Sequence, residues 1–147
     1  MSSYIEQNTK LQSNLGIEIE YKKVPLYKRI SAGYGACADE IEEFITVPCT
    51  GEFYGDIFGI IVHGDSMEDT ILDGSVVFIR RTDWVDEDKI GAFLINGEAF
   101  LKRVSFKENG DLLLKSDNIC YKDIEIKESD EFEIIGIYIG TFEQIEK

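Results

Sequence analysis

Positive charge is scarce in this chain of 147 residues. Fifteen Lys and Arg stand against 29 Asp and Glu, a formal net charge of −14. Nucleic-acid affinity rests on neutralising phosphates with Lys and Arg, so most of this surface would repel DNA, and no basic stripe offsets it. Cysteine is sparse too: Cys37, Cys49 and Cys120 stand at wide, irregular spacing with His63 as the single histidine. That pattern is neither a zinc motif nor a disulfide framework, and the three thiols read as small, partly buried packing residues. No metal and no cofactor is expected. No apolar run approaches the ~20 residues that cross a bilayer, and no basic, apolar leader opens the chain, so the expected location is cytoplasmic. What is present suits a folded domain: 44% hydrophobic and 12% aromatic residues, in a chain long enough to bury one core.

One stretch carries chemistry. Asp56 to His63 is β-branched and apolar and reads as a buried strand. It ends at Gly64-Asp65-Ser66-Met67, which places Ser66 on the turn leaving the strand, near the surface and beside backbone N–H groups that a substrate carbonyl can approach.

A second residue gives that serine a partner. Asn96-Gly97 and Asn109-Gly110 each follow or precede apolar runs, and Asn-Gly between such runs signals a hairpin because a type I′ turn needs positive φ at both central residues. Glu98 to Lys107 is then the middle strand of a three-stranded meander. Side chains alternate along a strand, so Lys102 shares a face with Phe100 and Val104. A lysine on an apolar face is poorly solvated, which favours its neutral form. A neutral amine can take a proton from a serine hydroxyl, the serine–lysine form of nucleophilic catalysis. On residues alone the bland reading stands beside this one, because strand lysines commonly snorkel to water and turn serines commonly bond locally. His63, beside the serine turn, reads as packing or bonding locally.

The three blocks taken together resemble a known family. Gly64-Asp65-Ser66-Met67 with Asp73-Gly74, then Glu98-Ala99-Phe100-Leu101-Lys102-Arg103-Val104, are similar to the self-cleaving domain of LexA and the phage repressors. Upstream, Val24 to Gly33 resembles that family's cleavage region, where an Ala-Gly bond is cut; here the bond would be Ala32–Gly33. The resemblance runs from about Val24 to about Thr141. It implies an all-β fold of short bent strands and hairpins with little helix. It implies a serine endopeptidase that cuts itself, with Ser66 as nucleophile, Lys102 as general base, and Asp65 and Met67 shaping the turn and its oxyanion site. It also implies a homodimer, a RecA–single-stranded DNA filament as co-protease, and operator binding through an N-terminal helix-turn-helix absent from this chain. Two alternatives stay open: a UmuD-like accessory subunit of a translesion polymerase, and a dimerisation module that never cuts.

The remaining segments fall around these blocks. Residues 1–23 are polar at first and read as a linker or an appended remnant, too short for a helix-turn-helix; residues 24–147 form the self-cleavage and dimerisation domain, with the cleavage region at 24–43. Val24 to Ile30 and Phe44 to Val47 read as strands, the second stopped by Pro48. Asp39 to Glu43 and Glu128 to Glu133 read as solvated acidic faces, Glu68 to Leu72 as one helical turn, and Trp84 as a core residue. Ile134 to Gly140 is apolar on both faces, a strand buried on both sides by its own domain or by a second subunit. The resemblance favours the subunit.

Overall fold

Alternating and doubly apolar runs separated by glycine turns form strands nearly everywhere in the computed structural model, which describes residues 9–12, 18–28, 30–31, 35–36 and 41–142. The fold is all-β: twelve strands and no helix among the described residues. They are β1 (Thr9–Gln12), β2 (Glu18–Tyr27), β3 (Ile30–Ser31), β4 (Gly35–Ala36), β5 (Ile41–Pro48), β6 (Ile57–Ile61), β7 (Val76–Arg81), β8 (Ile90–Ile95), β9 (Glu98–Phe106), β10 (Leu112–Lys115), β11 (Ile124–Glu125) and β12 (Phe132–Thr141). Ten of them make one sheet in the order β1-β2-β6-β7-β12-β8-β9-β10-β11, with β5 also paired to β2. The other two, β3 and β4, pair with each other, Ser31 opposite Gly35.

Side-chain alternation divides the core between the two faces of this sheet. Along β8, Ile90, Ala92 and Leu94 enter one cluster with Phe58, Ile60, Val77 and Ile79, while Phe93 and Ile95 enter another with Val85, Val104 and Leu114. A third cluster joins Val24, Leu26, Ile45 and Val47 to Phe78. Every residue of β8 is therefore buried, which explains an apolar run with no polar face.

The meander of β8, β9 and β10 is as the Asn-Gly pairs indicate, but its two turns differ. Asn96 and Gly97 both have positive φ, 52° and 85°, as a type I′ turn requires. At the second turn only Gly110 does, at 93°, and its N–H donates to the Lys107 carbonyl at 2.8 Å, so that connection is a longer loop. Strand pairing also reaches into the stretch read as linker, since Glu18–Tyr21 of β2 pairs with β1. Trp84 is not in the core: it is 59% exposed, with its indole N–H on Asp86 Oδ1 at 2.9 Å. Cys120 is exposed and Cys49 half-buried; Cys37 lies outside the described residues.

β12 holds the middle of the sheet, antiparallel to β7 on one side and β8 on the other. Its two apolar faces thus meet the chain's own core: Ile135 joins the first cluster, and Ile134 and Ile137 pack on the cluster around Phe93. The doubly apolar pattern is explained within one chain. Gly136 makes that placement possible, because a Cβ there would lie 2.2 Å from the Arg80 carbonyl oxygen and 2.7 Å from Ile79 Cγ2. Backbone cannot give way as a side chain does. Gly136→Ala should cost about 3 kcal/mol or more, whereas Gly51→Ala, at φ 59° with open space around it, should cost about 1 kcal/mol. Urea unfolding midpoints of the two variants test the contrast; equal costs would mean that β12 is free to shift.

Candidate active site

The chain between β6 and β7 makes an excursion whose ends are tied. Val62 N–H donates to the Ser75 carbonyl at 2.8 Å, and Gly74 N–H donates back to Val62 at 2.9 Å. Gly64, at φ 102°, turns the chain away, a conformation that suits only glycine well, and its N–H is held by Asp73 Oδ1 at 2.8 Å. Residues 64 to 73 thus form a closed loop carrying Ser66. Met67, 2% exposed, and Ile71 drive it into the first core cluster. The helical turn expected at Glu68 to Leu72 is not helical: the segment is a non-helical turn, closed by the Ile71 N–H on the Met67 carbonyl at 2.8 Å.

Ser66 is half-buried and lines a cavity of about 380 Å³. Lys102 lines the same cavity from β9. It is 4% exposed, on a face shared with Val104 at 2%. Burial pushes the Lys102 amine below its ordinary value of 10.5, the behaviour expected of an ammonium deprived of water. Its Nζ donates to Ser116 Oγ at 2.7 Å and lies 5.7 Å and 5.6 Å from the ring centres of Phe100 and Tyr121. Among the described residues its hydrogen bond goes to Ser116 rather than to Ser66.

The serine loop is latched from the far side by residues 116–121. Asn118 N–H donates to the Ser66 carbonyl at 2.9 Å, Asn118 Nδ2 to the Asp65 carbonyl at 3.0 Å, and the Tyr121 hydroxyl to Asp65 Oδ1. That last bond raises the Tyr121 phenol above its usual value. Among the described residues the N–H groups of Ser66 and Met67, beside the Ser66 side chain, have no acceptor. His63 is exposed and also lines the cavity. Ala32 and Gly33 lie outside the described residues. Lys28, four residues before Ala32, lines the cavity, and four residues reach at most about 14 Å.

Ser116, Asn118 and Tyr121 were not singled out from sequence. Ser116-Asp117-Asn118 after a short strand looks like any polar turn, and no local pattern shows that it meets a serine some 50 positions earlier in sequence.

With this geometry in view, comparison with known proteins is decisive on kinship. The family model for peptidase S24-like domains matches residues 25–139. The chain belongs to the peptidase S24-like family. It is similar to the LexA repressor of Pelotomaculum thermopropionicum, 34% identical over 137 residues that cover 92% of this chain and 66% of that protein. It is also similar to the LexA repressors of Desulforamulus reducens, 33% identical with 86% and 58% covered, and Thermotoga maritima, 32% identical with 97% and 73% covered. The chain spans about six tenths of the length of the first two of these. No helix among the described residues is long and apolar enough to cross a membrane.

The burial of Lys102 in this S24-like domain has a consequence for stability. An amine whose folded pKa is lowered binds fewer protons folded than unfolded, so native stability rises with pH from the lowered value up to about 10.5. In a Ser66→Ala background, Lys102→Met should therefore raise the urea midpoint at pH 7, and that advantage should shrink at pH 10. An advantage that grows with pH would mean the amine is not desolvated in the fold.

Proposed function

We propose that this chain is the self-cleaving, dimer-forming domain of a LexA-like transcriptional repressor. The observation that carries the reading is a desolvated Lys102 amine lining one cavity with Ser66, in a chain of the S24-like family. The neutral Lys102 amine takes the proton from Ser66 Oγ as that oxygen bonds to the Ala32 carbonyl carbon. The oxyanion is held by the N–H groups of Ser66 and Met67. Lys102 then gives the proton to the Gly33 nitrogen, the Ala32–Gly33 bond breaks, and an ester to Ser66 remains. Water, deprotonated by Lys102, releases Ala32 as a carboxylate and restores Ser66. Asp65 and Met67 shape the turn rather than react: Asp65 is engaged by Tyr121 and Asn118, and Met67 is core. Small residues on both sides of the bond let the backbone pass close to Ser66, and Lys28 at the cavity makes the substrate intramolecular, with the high effective concentration that follows.

Cutting between the two parts of such a repressor would end its hold on operator DNA. With a net charge of −14, operator binding belongs to a helix-turn-helix outside the present sequence. A RecA–single-stranded DNA filament is the co-protease that family resemblance suggests, and the cytoplasm is the matching compartment. The homodimer rests on kinship and on the C-terminal end of β12, where Ile139 is half-buried and Phe142 is 37% exposed.

Self-cleavage should be slow near pH 7 and accelerate as pH rises toward the lowered Lys102 pKa, since the neutral amine is the active form. Intact mass after alkaline incubation should show Met1 to Ala32 and Gly33 to Lys147. Ser66→Ala and Lys102→Ala should abolish cutting, and Gly33→Glu should suppress it, with the domain still folded. A rate that is flat or falling with pH removes Lys102 as the base, and masses placing the cut after Gly35 or Cys37 remove the assigned bond. Sedimentation equilibrium at micromolar concentration should give twice the 16.7 kDa chain mass; a single-chain mass would remove the dimer.

A further inference from the structure

The residue after Lys102 on β9 is not among those lining the cavity, and three hydrogen bonds hold it. Arg103 Nε donates to Asp117 Oδ1 at 2.9 Å and Nη2 to Asp117 Oδ2 at 2.7 Å, a two-pronged pair. Its third arm, Nη1, donates to the Asp88 carbonyl at 2.7 Å. A planar guanidinium held at three points cannot rotate, so it fixes the carboxylate it grips. The pair is only partly exposed, with the Asp117 side chain at 16%, and the Arg103 guanidinium holds that carboxyl below the usual carboxylate range.

Asp117 Oδ2 also accepts the Thr70 hydroxyl at 2.5 Å. Thr70 belongs to the closed loop that carries Ser66. One carboxylate therefore joins the strand of the base to the loop of the nucleophile. The backbone of Asp117 repeats the link, with its N–H on Met67 Sδ at 3.4 Å. Its two neighbours reach the two proposed reacting residues: Ser116 Oγ accepts the hydrogen bond of Lys102 Nζ, and Asn118 N–H donates to the Ser66 carbonyl. Among the described residues no strand pairing joins β9 directly to this loop; the sheet connects them only through β7, β12 and β8.

We propose that Asp117 is a positioning residue for self-cleavage: gripped by Arg103 and bonded to Thr70, it sets the separation between Ser66 and Lys102. This rests on the serine–lysine reading above. The carboxylate touches neither reacting group; it acts through the two segments it ties.

The full chain tests it, with Asp117→Ala, Asp117→Asn and Thr70→Val. Two quantities are read: the self-cleavage rate on its alkaline plateau, well below each variant's unfolding temperature, and amide hydrogen exchange across residues 64–71 in a Ser66→Ala background. On the plateau Lys102 is neutral whatever its surroundings, so the rate there reports geometry rather than titration. Asp117→Ala should lower the plateau at least tenfold and speed exchange in the serine loop while β8 and β12 stay protected. Asp117→Asn, which keeps one acceptor for Arg103, should fall between it and the native chain. Thr70→Val removes the bridge without touching the Arg103 pair and should lower the plateau several-fold. If Thr70→Val matches the native chain in both quantities, the bridge is not what sets the separation, and Asp117 only anchors its own loop. If Asp117→Ala folds and cuts within twofold of native, the proposal is wrong outright. Should the native chain fail to cut, or Lys102→Ala cut normally, the dyad reading falls instead; the exchange data then decide separately whether Asp117 holds the loop.

Discussion

A lysine kept from water is the constraint on which the site depends. An ammonium at 4% exposure is costly unless donors are satisfied or the charge is given up. Both partial remedies are present. Ser116 and two aromatic rings meet the charged form, and burial makes the neutral form easier to reach. The second effect sets the net direction of the shift. Residues 116–121 supply two of these contacts, Ser116 and Tyr121. That cover is fixed in turn by Arg103, one residue from the lysine it protects.

The two halves of the site are built by different means. Lys102 is placed by the sheet, where the register Gly91↔Lys102 between β8 and β9 is set by the tight Asn96-Gly97 turn. A one-residue slip there would turn Lys102 to the opposite face. Ser66 is placed by no ladder. Its loop is closed at the neck by Val62, Gly74 and Asp73, sunk into the core through Met67 and Ile71, and latched from residues 116–121. Loops positioned on a rigid scaffold commonly carry function. Here one residue of the proposed pair belongs to the scaffold and the other to the loop, so the contact between the two parts bears on their geometry.

What was legible in the sequence follows the same division. The meander and the face of Lys102 could be read because an Asn-Gly turn and alternation are local signals. The serine turn was readable as the end of an apolar strand. Illegible were the features set by distant contacts. The pattern of β12 shows burial on both faces, by its own domain or by a second subunit, but not which; its place between β7 and β8 is a matter of sheet order, permitted by Gly136. Trp84 looked like core by composition, yet its indole is satisfied by Asp86 two residues on and stays at the surface. Ser116, Asp117 and Asn118 carry no local signal that sets them apart from any polar loop; their partners are 14 to 53 positions away.

An acidic surface and a neutral lysine would seem to conflict. With 29 carboxylate residues in the chain, the general field favours a protonated amine. Screening settles which influence matters. At physiological salt exposed charges fade over about 8 Å, while the desolvation of a buried group acts at contact and is not screened. The nearby carboxylates are also engaged elsewhere: Asp65 by the Tyr121 hydroxyl, Asp117 by Arg103 on the opposite face of β9. Burial accordingly stands as the cause of the shift at Lys102, with no acidic neighbour among the described residues opposing it. The fold thus separates two electrostatic properties of one chain: a surface that repels nucleic acid and a cavity in which an amine can lose its proton. The guanidinium that follows that amine in sequence bears on the second, since it offsets the charge of Asp117 on the opposite face of β9.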